Sequence, residues 1–207
     1  MQIDLFNDSK KANKEVSMEA ACSINGLELH FNFISIEEEK QLLRNIDNNV
    51  WLNDLARRVQ HFGYKYDYRA RKIDNSFFLG ELPNWLNELA VKLYNKKLIE
   101  FIPDQAIINE YEPGQGIASH IDCEPCFGDT IISLSLGSTC VMNFSRDVSS
   151  LVKTSILLEP RCLMIMKKES RYDWFHGIPA RKSDKFNDYI IKRQRRVSIT
   201  FRKVIKQ

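Results

Sequence analysis

The run RRVSITFRKV (195–204) alternates two kinds of side chain: Val197, Ile199 and Phe201 are apolar, and Arg196, Ser198, Thr200 and Arg202 between them are polar or basic. Period-two alternation marks a β-strand with two unlike faces. Upstream lie more short β-branched runs broken by turns: QAIINEY (105–111), DTIISLSLGSTCVMNF (129–144), TSILLEP (154–160) and CLMIMKK (162–168). No helical pattern separates them, so a parallel α/β sheet is disfavoured and a sandwich or jelly roll is expected over about 101–204. Two arginines on one strand face are costly to bury without anionic partners, yet a guanidinium suits bidentate recognition of a carboxylate, and one dicarboxylic acid would satisfy both. Taken alone, they read at least as well as solvated charges on an edge strand. On the run at 105–111, Asn109 and Tyr111 likewise share a face and offer an amide and a phenol.

The first half of the chain reads differently. Residues 1–20 are polar and aperiodic and are expected to form a loosely ordered leader before one domain spanning 21–207. In CSINGLELHFNFI (22–34), the Asn25-Gly26 pair predicts a hairpin turn. Ser35 followed by Glu38 is a capping-box pattern ahead of Ile36, Leu42, Leu43 and Ile46 at helical spacing. Pro83 opens PNWLNELAVKLYNKK (83–97), a second amphipathic pattern. Together these predict a mainly β protein with flanking helices that buttress a sheet.

The chemistry-bearing stretch is ASHIDCEPCFGD (118–129), which puts His120 and Asp122 on one face of an extended chain. A second imidazole would complete the two-histidine, one-carboxylate set that holds non-haem Fe(II) and leaves coordination positions open. The chain has four histidines. His30 lies in an alternating strand pattern and reads as structural, His61 belongs to a basic aromatic segment, and His176 in SRYDWFHGIPA (170–180) is the natural candidate, with Gly177 behind it to allow close backbone approach. By pattern alone this constellation would arise often by chance.

Composition sets outer bounds. At 207 residues, 43% hydrophobic and 28% charged, the chain can bury a full core, and no apolar run approaches the roughly 20 residues of a bilayer span. No membrane association and no secretion are expected, so the five cysteines are expected as thiols in the cytoplasm, or in the nucleus of a eukaryote. Cys123 and Cys126 without a second cysteine pair are a weak zinc signal and read as ordinary loop thiols. A net charge of +3 is compatible with a nucleic-acid partner without pointing to one.

The order NEYEPGQGIASHID (109–122), SRYDWFHGI (170–178) and RRVSITFR (195–202) resembles the AlkB family of Fe(II)- and 2-oxoglutarate-dependent dioxygenases. The resemblance implies a double-stranded β-helix core with His120, Asp122 and His176 as iron ligands. It implies that Arg202 and Asn109 hold the 2-oxoglutarate carboxylate near the metal, and that Arg196 and Tyr111 hold the distal one. The cofactor is then Fe(II), with 2-oxoglutarate and O2 as cosubstrates. Decarboxylation to succinate and CO2 would drive hydroxylation of a C–H bond, and an N-methyl base would release formaldehyde.

The stretch LARRVQHFGYKYDYRARK (55–72) interleaves Arg57, Arg58, Lys65, Arg69, Arg71 and Lys72 with His61, Phe62, Tyr64, Tyr66 and Tyr68. It lies where AlkB-like proteins carry a nucleotide-recognition segment, and its composition suits stacking on a flipped or single-stranded base and pairing with phosphates. The alternative is an edge hairpin whose tyrosines pack on the core and whose charges are solvated. Glu124 stands where the bacterial repair prototype has an Asp thought to contact the base, and Ser198 where it has Asn. The segments HFGY, SLSLGS and ESRYDWFHGI resemble the branch with tRNA wobble-uridine hydroxylases. The expected substrate is a DNA or RNA base, the expected reaction oxidative demethylation in repair, and the expected state a monomer. Hydroxylation of a wobble uridine or a protein residue is the alternative.

Overall fold

A computed structural model describes residues 2–205 apart from Asp54 and Arg69, and among these residues twelve strands and four α-helices build the fold. They run α1 (Gln2–Cys22), β1 (Leu27–His30), α2 (Ile36–Asp47), β2 (Val59–Phe62), α3 (Asn84–Asn95), β3 (Gln105–Tyr111), β4 (Ile117–His120), β5 (Ile131–Gly137) and β6 (Cys140–Ser145). There follow β7 (Thr154–Leu158), β8 (Leu163–Met166), α4 (Lys168–Tyr172), β9 (Phe175–Ile178), β10 (Ser183–Phe186), β11 (Tyr189–Lys192) and β12 (Arg196–Arg202). A six-stranded sheet in the order β1-β8-β5-β12-β3-β2 faces a four-stranded sheet in the order β4-β9-β6-β7, and β10 and β11 form a separate hairpin. Every named pairing is antiparallel, which is the jelly-roll texture expected of the short β-branched runs.

The alternation in β12 sorts the molecule into layers. Val197, Ile199 and Phe201 join Ala106, Ile108, Ile132, Leu134 and Ile165 on the outer face of the large sheet, beneath Leu42 and Ile46 of α2 and Leu86, Leu89, Ala90 and Leu93 of α3. The opposite face turns toward the small sheet, where Phe127, Ile131, Met142, Phe144, Ile156 and Met164 form the second core cluster. Because β12 is central, both its faces are covered, and all seven of its residues are buried. Its arginines are therefore not edge charges in water.

The expected helices form for the expected reasons. The Glu38 backbone N–H donates to Ser35 Oγ at 3.1 Å, and the Ser35 N–H donates to Glu38 Oε2 at 2.7 Å, closing the capping box of α2. Pro83 is the N-cap of α3.

Three expectations fail. Residues 2–20 are helical, not a loose leader: α1 lies against β1 and β7, and Ser17 Oγ accepts the N–H of Leu157 at 3.1 Å, giving an edge strand a partner. Between residues 11 and 24 only Asn13, Ser17, Ala21 and Ile24 are buried, a pattern that the polar composition hid. The Asn25-Gly26 turn closes no hairpin; it follows α1 and leads into β1, which pairs with β8 through Leu27↔Met166. Gly26 has φ +85°, and a Cβ there would sit 2.1 Å from the Lys167 carbonyl oxygen, so the glycine serves a tight crossing between distant segments. Cys123 and Cys126, expected as thiols, are joined in a disulfide. The turn after Asp122, with the Cys126 and Phe127 N–H groups both donating to the Cys123 carbonyl, brings their Cα atoms to 5.3 Å, inside bonding range.

Candidate iron and cosubstrate site

β4 and β9 lie side by side in the small sheet, and their register sets His120 opposite His176. A Cβ on Gly177 would come within 2.9 Å of the Ser119 backbone, so glycine after His176 lets the two strands approach, as its position suggested. Asp122 follows two residues beyond His120, on the loop leaving β4. The three side chains converge, with candidate ligand atoms all within 4.8 Å of one another and the two imidazole centroids 4.5 Å apart.

The protonation pattern suits a divalent cation. His120 Nδ1 lies 2.8 Å from the Ala118 carbonyl oxygen, which can only accept, so Nε2 is the ring nitrogen left available to a metal. His176 is buried, and burial together with the neighbouring His120 pushes its imidazole down to about 3, so it is neutral at pH 7. Burial favours protonation of Asp122, but the Arg202 guanidinium outweighs it and holds the carboxyl below the usual range. Asp122 Oδ1 accepts from Arg202 Nε at 3.0 Å and Nη2 at 2.6 Å, whereas Oδ2 faces His176 Nε2 at 3.6 Å. One oxygen is oriented by a cation and the other is presented to the site. These donors fit a two-histidine, one-carboxylate iron centre.

The inner face of β12 continues the site along the strand. Arg196 pairs across to Tyr111 on β3, lies 5.3 Å from its ring centroid, and is 3% exposed. Its Nη2 donates to Ser135 Oγ at 2.8 Å, while Nε and Nη1 are buried without a hydrogen-bond partner among the described residues. Buried N–H groups of a cation without partners are costly, and a carboxylate is the ligand that would satisfy them.

A cavity of about 360 Å³ opens beside His120 and Asp122 and is lined as well by Asn109, Arg202, Tyr66 and Tyr68. Asn109 faces it but is not paired with Arg202 in this arrangement: its Oδ1 accepts from Arg57 Nε at 2.9 Å, while Arg202 is engaged by Asp122 and Gln105.

Residues 55–72 divide into separate roles. Arg57 and Arg71 line the cavity with Tyr66 and Tyr68, whose rings meet edge to face at 5.0 Å, and burial pushes both phenols up. His61 lies on β2 opposite Ile107, edge to face with Tyr68 at 5.8 Å. Tyr64, expected on the nucleotide-facing wall, is instead core: it is 6% exposed and packs on Phe78. Arg58 turns to the other side of β3, where it stacks on Trp51 and donates to Glu110. Only Val59–Phe62 of this segment is a strand, so no single period runs through 55–72 and composition could not separate these roles. Glu124 is exposed on its loop and does not line the cavity. Arg69 lies outside the described residues.

A buried residue beside the triad escaped the sequence reading. Arg171 of α4, inside the quoted SRYDWFHGI, is 2% exposed and turns its guanidinium onto the loop that follows Asp122. Its place within a charged-looking stretch gave no periodic signal.

Fold, triad and basic strand together define an oxygenase of the iron and 2-oxo acid type. The description "2OG-Fe(II) oxygenase superfamily" matches residues 32–202, and the chain belongs to that family. Within it the relatives are AlkB-like. The chain is 40% identical to the tRNA (carboxymethyluridine(34)-5-O)-methyltransferase ALKBH8 of Mus musculus over 86% of its own length, but spans only 30% of that longer protein. It is 31% identical to the DNA N6-methyl adenine demethylase of Caenorhabditis elegans, covering 98% of this chain and 68% of that one. The solved structure of OsALKBH1 superposes with a TM-score of 0.64 at 18% identity, over 86% of this chain and 96% of that one. The protein is a 2-oxoglutarate-dependent dioxygenase; proteins of the family use Fe(II), 2-oxoglutarate and O2, and its His-Asp-His triad could hold the iron.

Proposed function

We propose that the enzyme oxidises a base of a nucleic acid, received in the cavity between Tyr66, Tyr68 and the triad. In this reading His120, Asp122 and His176 bind Fe(II), Arg196 with Tyr111 binds the distal carboxylate of 2-oxoglutarate, and Asn109 holds the carboxylate nearer the metal. Arg202 acts on that same end by orienting Asp122. Fe(II) with 2-oxoglutarate and O2 supplies the oxidising equivalent for C–H hydroxylation. The chain's own contribution is to bind and orient the reactants and to exclude water with the apolar walls of the two sheets.

The observation that carries the reading is the wall of the cavity: two partly buried tyrosines and Arg71 stand beside His120 and Asp122, with Arg57 turned to Asn109, in a space of about 360 Å³, near the lower end of small-ligand sites. Aromatic faces stack on any base, and guanidinium groups meet phosphate. RNA is the favoured polymer because the relative with the higher identity of the two is named for tRNA, and oxidation of a base at or near a wobble position is the leading reaction. Oxidative demethylation of an N-methylated base in DNA or RNA is the second reading, supported by the demethylase relative.

Mass analysis separates the two. Purified protein with Fe(II), 2-oxoglutarate and ascorbate is incubated with modified tRNA and with N-methylated oligonucleotides. A nucleoside that gains one oxygen supports hydroxylation, and one that loses a methyl group with release of formaldehyde supports demethylation. Turnover of neither, with succinate still formed on a protein or small molecule, would overturn the nucleic-acid reading. Tyr66→Ala with Tyr68→Ala should weaken oligonucleotide binding by roughly 1–3 kcal/mol per lost stack and leave slow uncoupled decarboxylation intact.

A further inference from the structure

Arg171 has no carboxylate partner among the described hydrogen bonds. Its Nη1 donates to the Asp122 carbonyl at 3.0 Å, Nη2 to the carbonyls of Cys123 and Phe127 at 3.3 and 3.4 Å, and Nε to that of Gly128 at 3.2 Å. The guanidinium lies 4.8 Å from the Tyr172 ring centroid. One planar group therefore gathers carbonyls from both ends of the 122–128 loop.

Two physical points make this more than filling. Buried carbonyls need donors, and a loop that pairs few of them within itself takes them from outside. A guanidinium buried at 2% exposure is costly, and only a multiply hydrogen-bonded, rigid fork keeps it there. Arg171 also stands five residues before His176 on the segment α4–β9. The segment that delivers one triad histidine thus grips the backbone of the triad aspartate from behind, while Arg202 grips its carboxylate from the side. The carboxylate is oriented twice, once through its oxygen and once through its own main chain.

We infer that Arg171 is a positioning residue for the oxygenase reaction: it ties the Asp122 backbone to the His176 segment and so sets the spacing of the iron ligands. The inference rests on the proposed reading of His120, Asp122 and His176 as those ligands. It assigns Arg171 no contact with substrate.

The test compares wild type, Arg171→Lys, Arg171→Gln and Asp122→Ala by anaerobic Fe(II) titration, by the visible charge-transfer band formed with 2-oxoglutarate, and by thermal midpoint. Lysine keeps the charge but not the fork, and glutamine keeps a donor without the charge. Both should raise the Fe(II) requirement roughly 10–100-fold, the usual consequence of losing a group that orients a ligand, and should weaken or shift the band in protein that remains folded by circular dichroism. Wild-type Fe(II) affinity and an unchanged band in both variants, with only the thermal midpoint lowered, would overturn the inference and leave Arg171 a structural clamp. Asp122→Ala guards the underlying reading: if it too binds Fe(II) like wild type, the ligand assignment has failed, and not merely the role of Arg171.

Discussion

Arg193 and Arg196 stand three residues apart, both nearly inaccessible, and are treated oppositely by the fold. Arg193 has every nitrogen engaged: Nε and Nη2 donate to the two oxygens of Asp184 at 2.6 and 2.7 Å, and Nη1 donates to the Pro179 and Gln115 carbonyls at 2.7 and 3.2 Å. Arg196 has one donor on Ser135 and two nitrogens, Nε and Nη1, with no partner among the described residues. A buried arginine whose three nitrogens are all engaged belongs to the architecture, and one with nitrogens to spare is where a ligand belongs. Asp184 confirms the architectural side, since it also accepts from Arg181 and from the Val141 N–H and so ties the β10–β11 hairpin to the small sheet.

That contrast can be broken at several points. The largest effect is expected at the triad itself, outside both arginines: His120→Ala, Asp122→Ala or His176→Ala should abolish 2-oxoglutarate turnover, measured as succinate formed, and retained turnover would remove the residue from the site. Next comes Asp184→Ala, which strands a buried guanidinium and should cost roughly 3–5 kcal/mol in denaturant unfolding while the 2-oxoglutarate requirement of the folded fraction stays unchanged. Arg196→Ala should do the reverse. Stability should change little, and the apparent 2-oxoglutarate constant should rise by roughly 10–100-fold for a lost charge-assisted pair of about 1.5–3 kcal/mol; an unchanged constant would erase the distinction.

Acid sharpens the architectural half. Although burial raises it, the Arg193 and Arg181 partners hold the Asp184 carboxyl below its ordinary 3.8. A depressed folded value means the stabilisation is present above about pH 3.8 and lost as pH falls further, so Asp184→Asn should flatten the fall in thermal midpoint over that acid range. The smallest effect is expected at Arg57→Ala. Because Arg57 holds Asn109 Oδ1, its loss should raise the 2-oxoglutarate constant a few-fold, about 0.5–1.5 kcal/mol, with little change in the salt dependence of oligonucleotide binding. A flattened salt slope would return Arg57 to the phosphate-binding role suggested by its neighbours in sequence.

Much of this was legible from residues alone, wherever a signal is local and periodic. Alternation in 196–202 marked a two-faced strand, the Ser35–Glu38 spacing marked a helix start, and His-x-Asp placed two candidate ligands on one strand face. The ordered motifs carried the family resemblance and with it His176. Tertiary structure decided what local pattern leaves degenerate. Whether β12 is central or an edge depends on strand order, and that order turns its arginines from solvated charges into site residues. Tyr64 and Tyr66 are alike in composition yet one is core and the other cavity wall, because only the pairing around them sets which face is covered. The partners of Arg171, Arg193 and Arg196 lie as many as 49, 78 and 61 residues away, beyond any window in which sequence periodicity speaks. Sequence determined the faces of each element, and packing decided which face meets which, because burial and hydrogen-bond satisfaction are properties of the assembled layers.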